Sequence, residues 1–557
     1  VAEDIGLYKF DILSQRGLGK IRDTIDMIAE NQPEVAAQID IHDMSRFKRD
    51  AKVQSMLRNA LAVGCFYVES PAMRMLMRKL QVDNYLGLVA ASSVIRPGVA
   101  RSGMMKAYIE RHRDPEKRSD AHPVLMELMP ETYGVMVYQE DVIKVAHHFA
   151  GMDLGEADVL RRGMSGKFRS REEFAKARET FILKALDKGR KRSLVEEVWR
   201  QVESFAGYAF AKGHSASYAV ESYQSLFLKA HWPLQYMAAC INNFGGFYRT
   251  EFYVHEARMV GGRIEAPCLN RGGWEACVDA AQQRIYLGFN LVRGAQAQTM
   301  ANVIEERDAH GAYLSLEDCI ERNGIALEQC LILIRCGGFR FTGKDAKQLQ
   351  WEAHFLLGHV RKGHEEATLF TPDISRFTLP EFEHNELEMA FDQIELFGFP
   401  LVSPFRLLTS ESARQLENAV RSEALSDCIG KTVDVIGYLV TVKETQTARR
   451  ERMAFGCFVD VEGQWIDTVH FPPSLKQYGF RGRGIYRIRG PVREEFNCLH
   501  VEALFMEKLA YISDPRYSED GMPVQEARPN NASASQRRLT IGARSGGGML
   551  KRSMRTG

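Results

Sequence analysis

No two of the ten cysteines are spaced as Cys-x-x-Cys. The chain therefore lacks the usual frame of a zinc site or a disulfide scaffold, and reads as the product of a reducing compartment. No apolar run approaches the length of a membrane span, and nothing at the start reads as a secretory leader, so no membrane association and a cytoplasmic location are expected. An excess of charge is missing too: 73 Lys and Arg stand against 72 Asp and Glu. Any attraction for nucleic acid must then come from local patches. A Walker-type Gly-x-x-x-x-Gly-Lys-Ser/Thr loop is also absent, which removes the commonest frame for a nucleotide-dependent enzyme. What is present is ordinary globular material, 45% hydrophobic and 26% charged. At 557 residues it is too long for one core, so three or more domains are expected.

The stretch 205–229, FAGYAFAKGHSASYAVESYQSLFLK, begins as a Gly- and aromatic-rich loop. A helix is expected from about Ser215, because Ala219, Tyr223, Leu226, Phe227 and Ala230 recur at helical spacing before Pro233 ends it. That places Lys212 and His214 just ahead of a helix start, where free N–H groups and the dipole favour an anion. With Tyr218 available to stack, the set suits a phosphate carrying a flat base. Taken alone, the same stretch reads first as a buried amphipathic helix with an ordinary cap.

Earlier in the chain, 7–13 (LYKFDIL) reads as a strand that sets Lys9 and Asp11 among apolar neighbours. A buried carboxylate there needs a partner or a task. Gly17 and Gly19 are expected to turn the chain into a helix faced by Ile21, Ile25 and Ile28. Residues 41–84 read as helical, with a short apolar break at 63–67; within them Met73, Leu76, Met77 and Leu80 share a face, with Arg74, Arg78 and Lys79 elsewhere. Arg96 opens an Arg-Pro-Gly loop. Asp153 and Glu156 are spaced as a capping box for a helix that ends in Arg161 and Arg162, followed by a Gly-rich loop with Lys167. From 161 to 192 there are twelve basic and four acidic residues. Two arginine forks and an ammonium can grip a triphosphate, although cations at a helix C-terminus also simply answer its dipole.

Farther on, 285–291 (IYLGFNL) reads as a strand. Val292, Arg293 and Gly294 followed by 299–306 resemble the second half of a helix-hairpin-helix, which presents hairpin N–H groups to a phosphate backbone. Leu369 and Phe370 form an apolar pair in a polar segment near Glu366, the pattern of a peptide anchor. From 432 to 509 the chain changes to short alternating segments with Gly turns and one helical insert, which suggests a small oligonucleotide-binding (OB) barrel. Arg449, Arg450, Arg452, Arg481 and Arg483 fall in its loops, consistent with tracking a single strand. After Glu526 the tail carries seven basic residues and no acid, and is expected to be disordered.

Six stretches together, KFDIL (9–13), GCFYVESPAMRMLMRKL (64–80), IRPG (95–98), TYGVMVYQEDV (132–142), GEADVLRRGMSGK (155–167) and 205–233, resemble the alpha subunit of bacterial DNA polymerase III, the C family of replicative polymerases. The similarity runs over roughly residues 1 to 510. It implies a mainly helical multidomain fold: end of the palm at 1–15, fingers at 16–275, a clamp-binding domain with the helix-hairpin-helix at 276–380, a linker at 381–425, an OB-type barrel at 426–510 and a basic tail at 511–557. It also implies two-metal nucleotidyl transfer with Mg²⁺, in which Asp11 is one of three palm carboxylates. The other two are usually an Asp-x-Asp pair, and no Asp-x-Asp occurs in this chain. The chain is therefore expected to be a fragment, inactive by itself. The nucleotide-binding residues implied are Arg96, Arg161, Arg162, Lys167, Lys212, His214 and Tyr218. The implied DNA contacts are Arg293, Gly294, Arg450 and Arg481. Glu366, Leu369 and Phe370 stand at the sliding-clamp peptide, with Glu366 where the family usually has Gln. Partners implied are primer-template DNA, deoxynucleoside triphosphates, the clamp and other replicase subunits. A reading from another class, a non-catalytic DNA-binding scaffold built on the hairpin and barrel, accommodates the same helical and β segments.

Overall fold

The computed structural model describes residues 6–7, 15–96, 99, 103–162, 171–204, 211–358, 386–447 and 449–517. The strand expected around Asp11, the loop with Lys167, the segment with Glu366, Leu369 and Phe370, and the tail beyond 517 lie outside these. Two compact units are formed, Val1–Phe382 with Glu495–Cys498, and Glu383–Glu494 with Leu499–Gly557.

The first unit is almost wholly helical. The elements that matter for the site are α1 (Arg16–Asn31), α2 (Met44–Arg49), α3 (Ala51–Arg58), α4 (Pro71–Leu80), α5 (Tyr85–Val94), α6 (Gln139–Lys144), α7 (Leu154–Arg162), α8 (Lys212–His231) and α9 (Pro233–Asn242). Helix α8 is the hub, packed against α1, α2, α3, α5 and α9. Its apolar spacing is realised, with Ala219, Tyr223, Leu226, Phe227 and Leu228 buried. Its start differs from expectation: the helix begins at Lys212, so Lys212 and His214 sit in its first turn. The reason is a cap supplied from elsewhere. Ala211 has no side-chain acceptor, and the Lys212 N–H donates instead to both carboxylate oxygens of Glu140 on α6, at 3.2 Å each.

Gly17 and Gly19 do not turn the chain; both lie within α1. Their missing Cβ lets α1 approach α8 and α9, since a Cβ at Gly17 would run into the Glu221 carboxylate and one at Gly19 into Asn243. In α4, Ser70 caps the Met73 N–H at 3.3 Å, and Met73, Leu76, Met77 and Leu80 are buried as their spacing requires. Arg74 is buried with them. Its guanidinium donates to the Ala60 carbonyl and to the Tyr248 hydroxyl, both at 3.3 Å. The capping box of α7 is present: the Asp153 N–H donates to Glu156 at 2.9 Å and the Glu156 N–H to Asp153 at 2.8 Å.

A three-stranded sheet follows, β1 (Arg263–Glu265), β2 (Cys277–Asp279) and β3 (Arg284–Tyr286), in the order β1-β3-β2 with β1 parallel to β3. The strand expected over 285–291 stops at Tyr286. Beyond it the Phe289 and Asn290 N–H groups bond to the carbonyls of Gly273 and Trp274 rather than to a neighbouring strand. A hairpin at 292–296 then joins the short 3-10 helix Phe289–Leu291 to α10 (Ala297–His310), and the later helix α11 (Leu327–Arg335) bonds to it through Gln329. Gly294 has φ +85° there, a conformation glycine adopts without penalty.

In the second unit, α12 (Glu386–Phe397) is a folded helix within the span expected as a linker, and its Asp392 receives Arg516 at 2.6 Å. Strands β4 (Thr432–Gln446), β5 (Arg452–Val459), β6 (Trp465–His470), β7 (Ile485–Glu495), β8 (Cys498–Glu502) and β9 (Phe505–Lys508) make one mixed sheet, with α13 (Pro472–Gln477) inserted after β6. The order is β4-β5-β6-β8-β7-β9, and β4 also pairs with β7, so the pairings return on themselves in an OB-like arrangement. A bulge between Leu439 and Thr441 lets the long β4 serve both neighbours. Inside lie Val435, Phe458, Ile466, Tyr486, Ile488 and Val501. The helical body and terminal OB-like sheet agree with the expected fold class.

Candidate functional site

The first turn of α8 gathers side chains from other parts of the helical unit. Ser215, fully buried, shares a 2.6 Å hydrogen bond with Ser93 of α5, and Tyr85 donates to the Ala216 carbonyl at 2.6 Å. These contacts fix α8 against α5. One turn on, Tyr218 meets the His214 ring at 4.0 Å between centroids and the edges of Phe66 and Tyr67 at 5.2 and 4.9 Å. Arg96, just beyond α5, donates to the Tyr67 hydroxyl, and its guanidinium lies 5.4 Å from the Tyr67 ring centre. Burial and the nearby Arg96 charge lower the pKa of His214. Its imidazole is therefore neutral at pH 7, able to donate from one nitrogen and accept at the other.

Lys212 lies on the other side of the same turn. Its ammonium pairs with Glu131 and sits 5.4 Å from the centre of the Tyr138 ring. The start of α8 is thus held by two carboxylates, Glu140 on the backbone and Glu131 on the side chain. Both are exposed, and exposed ion pairs are held weakly. The place that favours an anion is filled by carboxylates.

At the end of α7, Arg161 and Arg162 share Asp158, at 2.8 and 3.0 Å. Arg161 also reaches the Gln139 side chain at 3.5 Å. Gln139 immediately precedes Glu140, so α6 links the paired arginines to the start of α8. Of the expected nucleotide residues, His214 and Tyr218 touch, Arg96 joins them through Tyr67, Lys212 shares their turn, and Arg161 joins through α6. Arg162 is more exposed.

Phe66, Tyr67, Glu131 and Glu140 were missed by sequence reasoning. The apolar break at 63–67 marked the first pair and the Gln-Glu-Asp run at 139–141 contained Glu140, but neither run shows by itself what it faces, and no local pattern marked Glu131.

Elsewhere, Arg293 and Gly294 stand exposed at the hairpin. The buried Gln329 of α11 holds this turn from both sides, donating to the Gly294 carbonyl and accepting from the Gln296 N–H, each at 2.9 Å. In the second unit Arg450 has φ +63° in the β4–β5 turn, and the Arg481 N–H is tied to the Tyr486 hydroxyl at 2.9 Å. Both side chains are exposed. All ten cysteines are free. Among the described residues no group of three or more His, Cys, Asp or Glu is gathered as a metal would need, and no helix is long and apolar enough to cross a membrane.

A helical body that includes a hairpin leading into α10, followed by an OB-like sheet, defines a multidomain α-plus-β protein. Residues 17–189 match the family model of the bacterial DNA polymerase III alpha subunit finger domain, and residues 261–349 match that of a helix-hairpin-helix motif. The chain is 27% identical over 515 residues to the DNA polymerase III subunit alpha of Aquifex aeolicus, covering 91% of this chain and 41% of that protein. It is 30% identical over 498 residues to that of Treponema pallidum (86% and 41%), and 30% identical over 515 residues to that of Pasteurella multocida (86% and 42%). The chain spans about two fifths of the length of these relatives. It belongs to the bacterial DNA polymerase III alpha-subunit family.

Proposed function

We propose that this chain supplies the nucleotide-holding and DNA-holding parts of a DNA-directed DNA polymerase that acts in chromosome replication in the bacterial cytoplasm. The observation that carries the reading is the convergence of Arg96, His214 and Tyr218 at the first turn of α8, with Lys212 on the same turn. A deoxynucleoside triphosphate offers the matching chemistry. Its polyphosphate exchanges with Glu140 and Glu131 for the Lys212 ammonium and the helix N-terminus. Its base or sugar lies against Tyr218 and His214, and Arg96 and Arg161 add charge at the phosphates. Lys167 extends that cationic run.

Phosphoryl transfer needs cations and positioning more than protein acids and bases, which is what this surface offers. Mg²⁺ would supply the two-metal chemistry in the complete enzyme, with Asp11 as one ligand. The described residues, which do not include Asp11, contain no carboxylate cluster fit for it. The hairpin at Arg293 and Gly294 and the exposed Arg450 and Arg481 suit backbone phosphates of duplex and single-stranded DNA. Glu366, Leu369 and Phe370 are assigned to the sliding clamp, and the replicase subunits are the remaining partners. In a longer polymerase containing this chain, Asp11→Asn is expected to nearly abolish primer extension with DNA binding retained, while Lys212→Ala raises KM for the nucleotide. Normal extension by Asp11→Asn, or an unchanged KM in Lys212→Ala, would contradict these assignments.

A further inference from the structure

Residues 61–69 run irregularly between α3 and α4, yet their backbone is pinned by buried charge. Lys229, 3% exposed, donates to the carbonyls of Leu61 and Val63 at 3.2 and 2.8 Å and is paired with Glu256 at 2.7 Å. Lys20, equally buried, and the Tyr236 hydroxyl both donate to the Gly64 carbonyl, at 3.1 and 2.9 Å. Ser222 of α8 donates to the Phe66 carbonyl at 3.0 Å. From the other side the buried Glu69 carboxylate accepts from the Gly64 N–H at 2.9 Å, the Phe247 N–H at 2.7 Å and the Tyr253 hydroxyl at 2.9 Å. Interior charges are a demanding way to hold a loop, and they persist only where fully bonded.

What this bracing sustains is a strained residue. Tyr67 has φ +67°, in the left-handed region that a bulky side chain enters only under constraint. The strain aims the Tyr67 ring edge-on at Tyr218 and sets its hydroxyl to accept from Arg96. Burial raises the pKa of that hydroxyl, so it stays a neutral acceptor near pH 7.

We propose that Tyr67 is a positioning residue for the nucleotide, its hydroxyl fixing the Arg96 guanidinium for the triphosphate and its ring backing Tyr218. This rests on the reading that Arg96, His214 and Tyr218 receive the nucleotide. The braced loop makes the arrangement preformed, so Arg96 meets its ligand without first being ordered.

The test is a double-mutant cycle on the whole 557-residue chain, reading the affinity for 2′-deoxyadenosine triphosphate and for inorganic tripolyphosphate by calorimetry. Tyr67→Phe keeps the ring and removes the acceptor. It is expected to weaken both ligands by the same factor, roughly tenfold, as for loss of one hydrogen bond to a charged group. In an Arg96→Ala background it should have no further effect. Wild-type affinities in Tyr67→Phe, or a loss that adds in full to that of Arg96→Ala, would overturn the proposal, since a merely structural role adds. Unchanged affinities in both Arg96→Ala and His214→Ala would instead overturn the nucleotide reading, and this inference with it.

Discussion

His470 and Lys229 show how single residues carry opposite electrostatic burdens in this chain. His470 is fully buried in the OB-like unit, with Nε2 at 2.8 Å from the Thr468 hydroxyl and no partner at Nδ1. Burial pushes its pKa down to about 4. The folded state thus resists a proton that the unfolded chain takes up near pH 6.5. Stability is full above that pH and is lost as pH falls toward 4. The window is worth roughly 3 kcal/mol, at about 1.4 kcal/mol per pH unit. Thermal melts across pH 4 to 6.5 should therefore flatten for the second unit in His470→Gln; an undiminished slope would contradict the assignment. Lys229 instead remains paired in the interior, against Glu256. Lys229→Ala strands that carboxylate and two loop carbonyls. A loss of about 3–5 kcal/mol is expected, read as a lower denaturant midpoint; a loss under 1 kcal/mol would show that the loop has another support.

At the scale of elements, α8 shows what a sequence can and cannot reveal. Its buried face was legible because Ala219, Tyr223, Leu226 and Phe227 recur at a period fixed by helix geometry. Its start was not, because the cap is Glu140, 72 positions away, and no local pattern reports a cap supplied by another helix. The same holds for Tyr67, whose loop is tied by residues from α1, α8 and α9, and for Arg74, whose burial depends on Tyr248. Gly17 and Gly19 were legible as special but misassigned, since close helix approach and a turn both call for glycine. Glu140→Ala tests the trans cap with two effects of opposite sign. Stability should fall by about 1 kcal/mol, the usual worth of an N-cap, while tripolyphosphate binding tightens because its competitor is gone. Weaker binding together with lower stability would mean that Glu140 only shapes the site. In the hairpin, Gln329→Leu removes both bonds that hold 294–296. It should lower duplex DNA affinity more than single-strand affinity, measured by fluorescence anisotropy; equal losses would count against the hairpin as a duplex contact.

On the scale of the whole molecule, the chain divides between Phe382 and Glu383 into a helical unit and an OB-like unit, whereas the switch from period 3.6 to short alternating segments near 432 marks only the start of the sheet. A short acidic helix was expected between Pro380 and Arg406 as part of a linker; the helix Glu386–Phe397 is there but belongs to the second unit, held by ties such as Arg516 to Asp392 that come from the far end of the chain. Charge is likewise arranged locally rather than globally. The net of +1 predicts no general affinity for DNA, whereas the exposed Arg293, Arg450 and Arg481 predict binding that falls steeply with salt, by orders of magnitude between about 50 and 200 mM if many phosphates are met. With no Asp-x-Asp pair in 557 residues, this chain with Mg²⁺ should bind primer-template DNA without extending it; robust extension would refute the division of labour proposed here. The central claim, that the first turn of α8 holds the incoming nucleotide, is tested most directly by titrating wild type, His214→Ala and Tyr218→Ala with a deoxynucleoside triphosphate and, separately, with primer-template DNA. The account predicts that both variants lose roughly tenfold or more in nucleotide affinity, the loss expected when one good stacking or hydrogen-bonding contact goes, while DNA affinity holds. Equal losses for both ligands would show that α8 is a structural helix and not the wall of a nucleotide site.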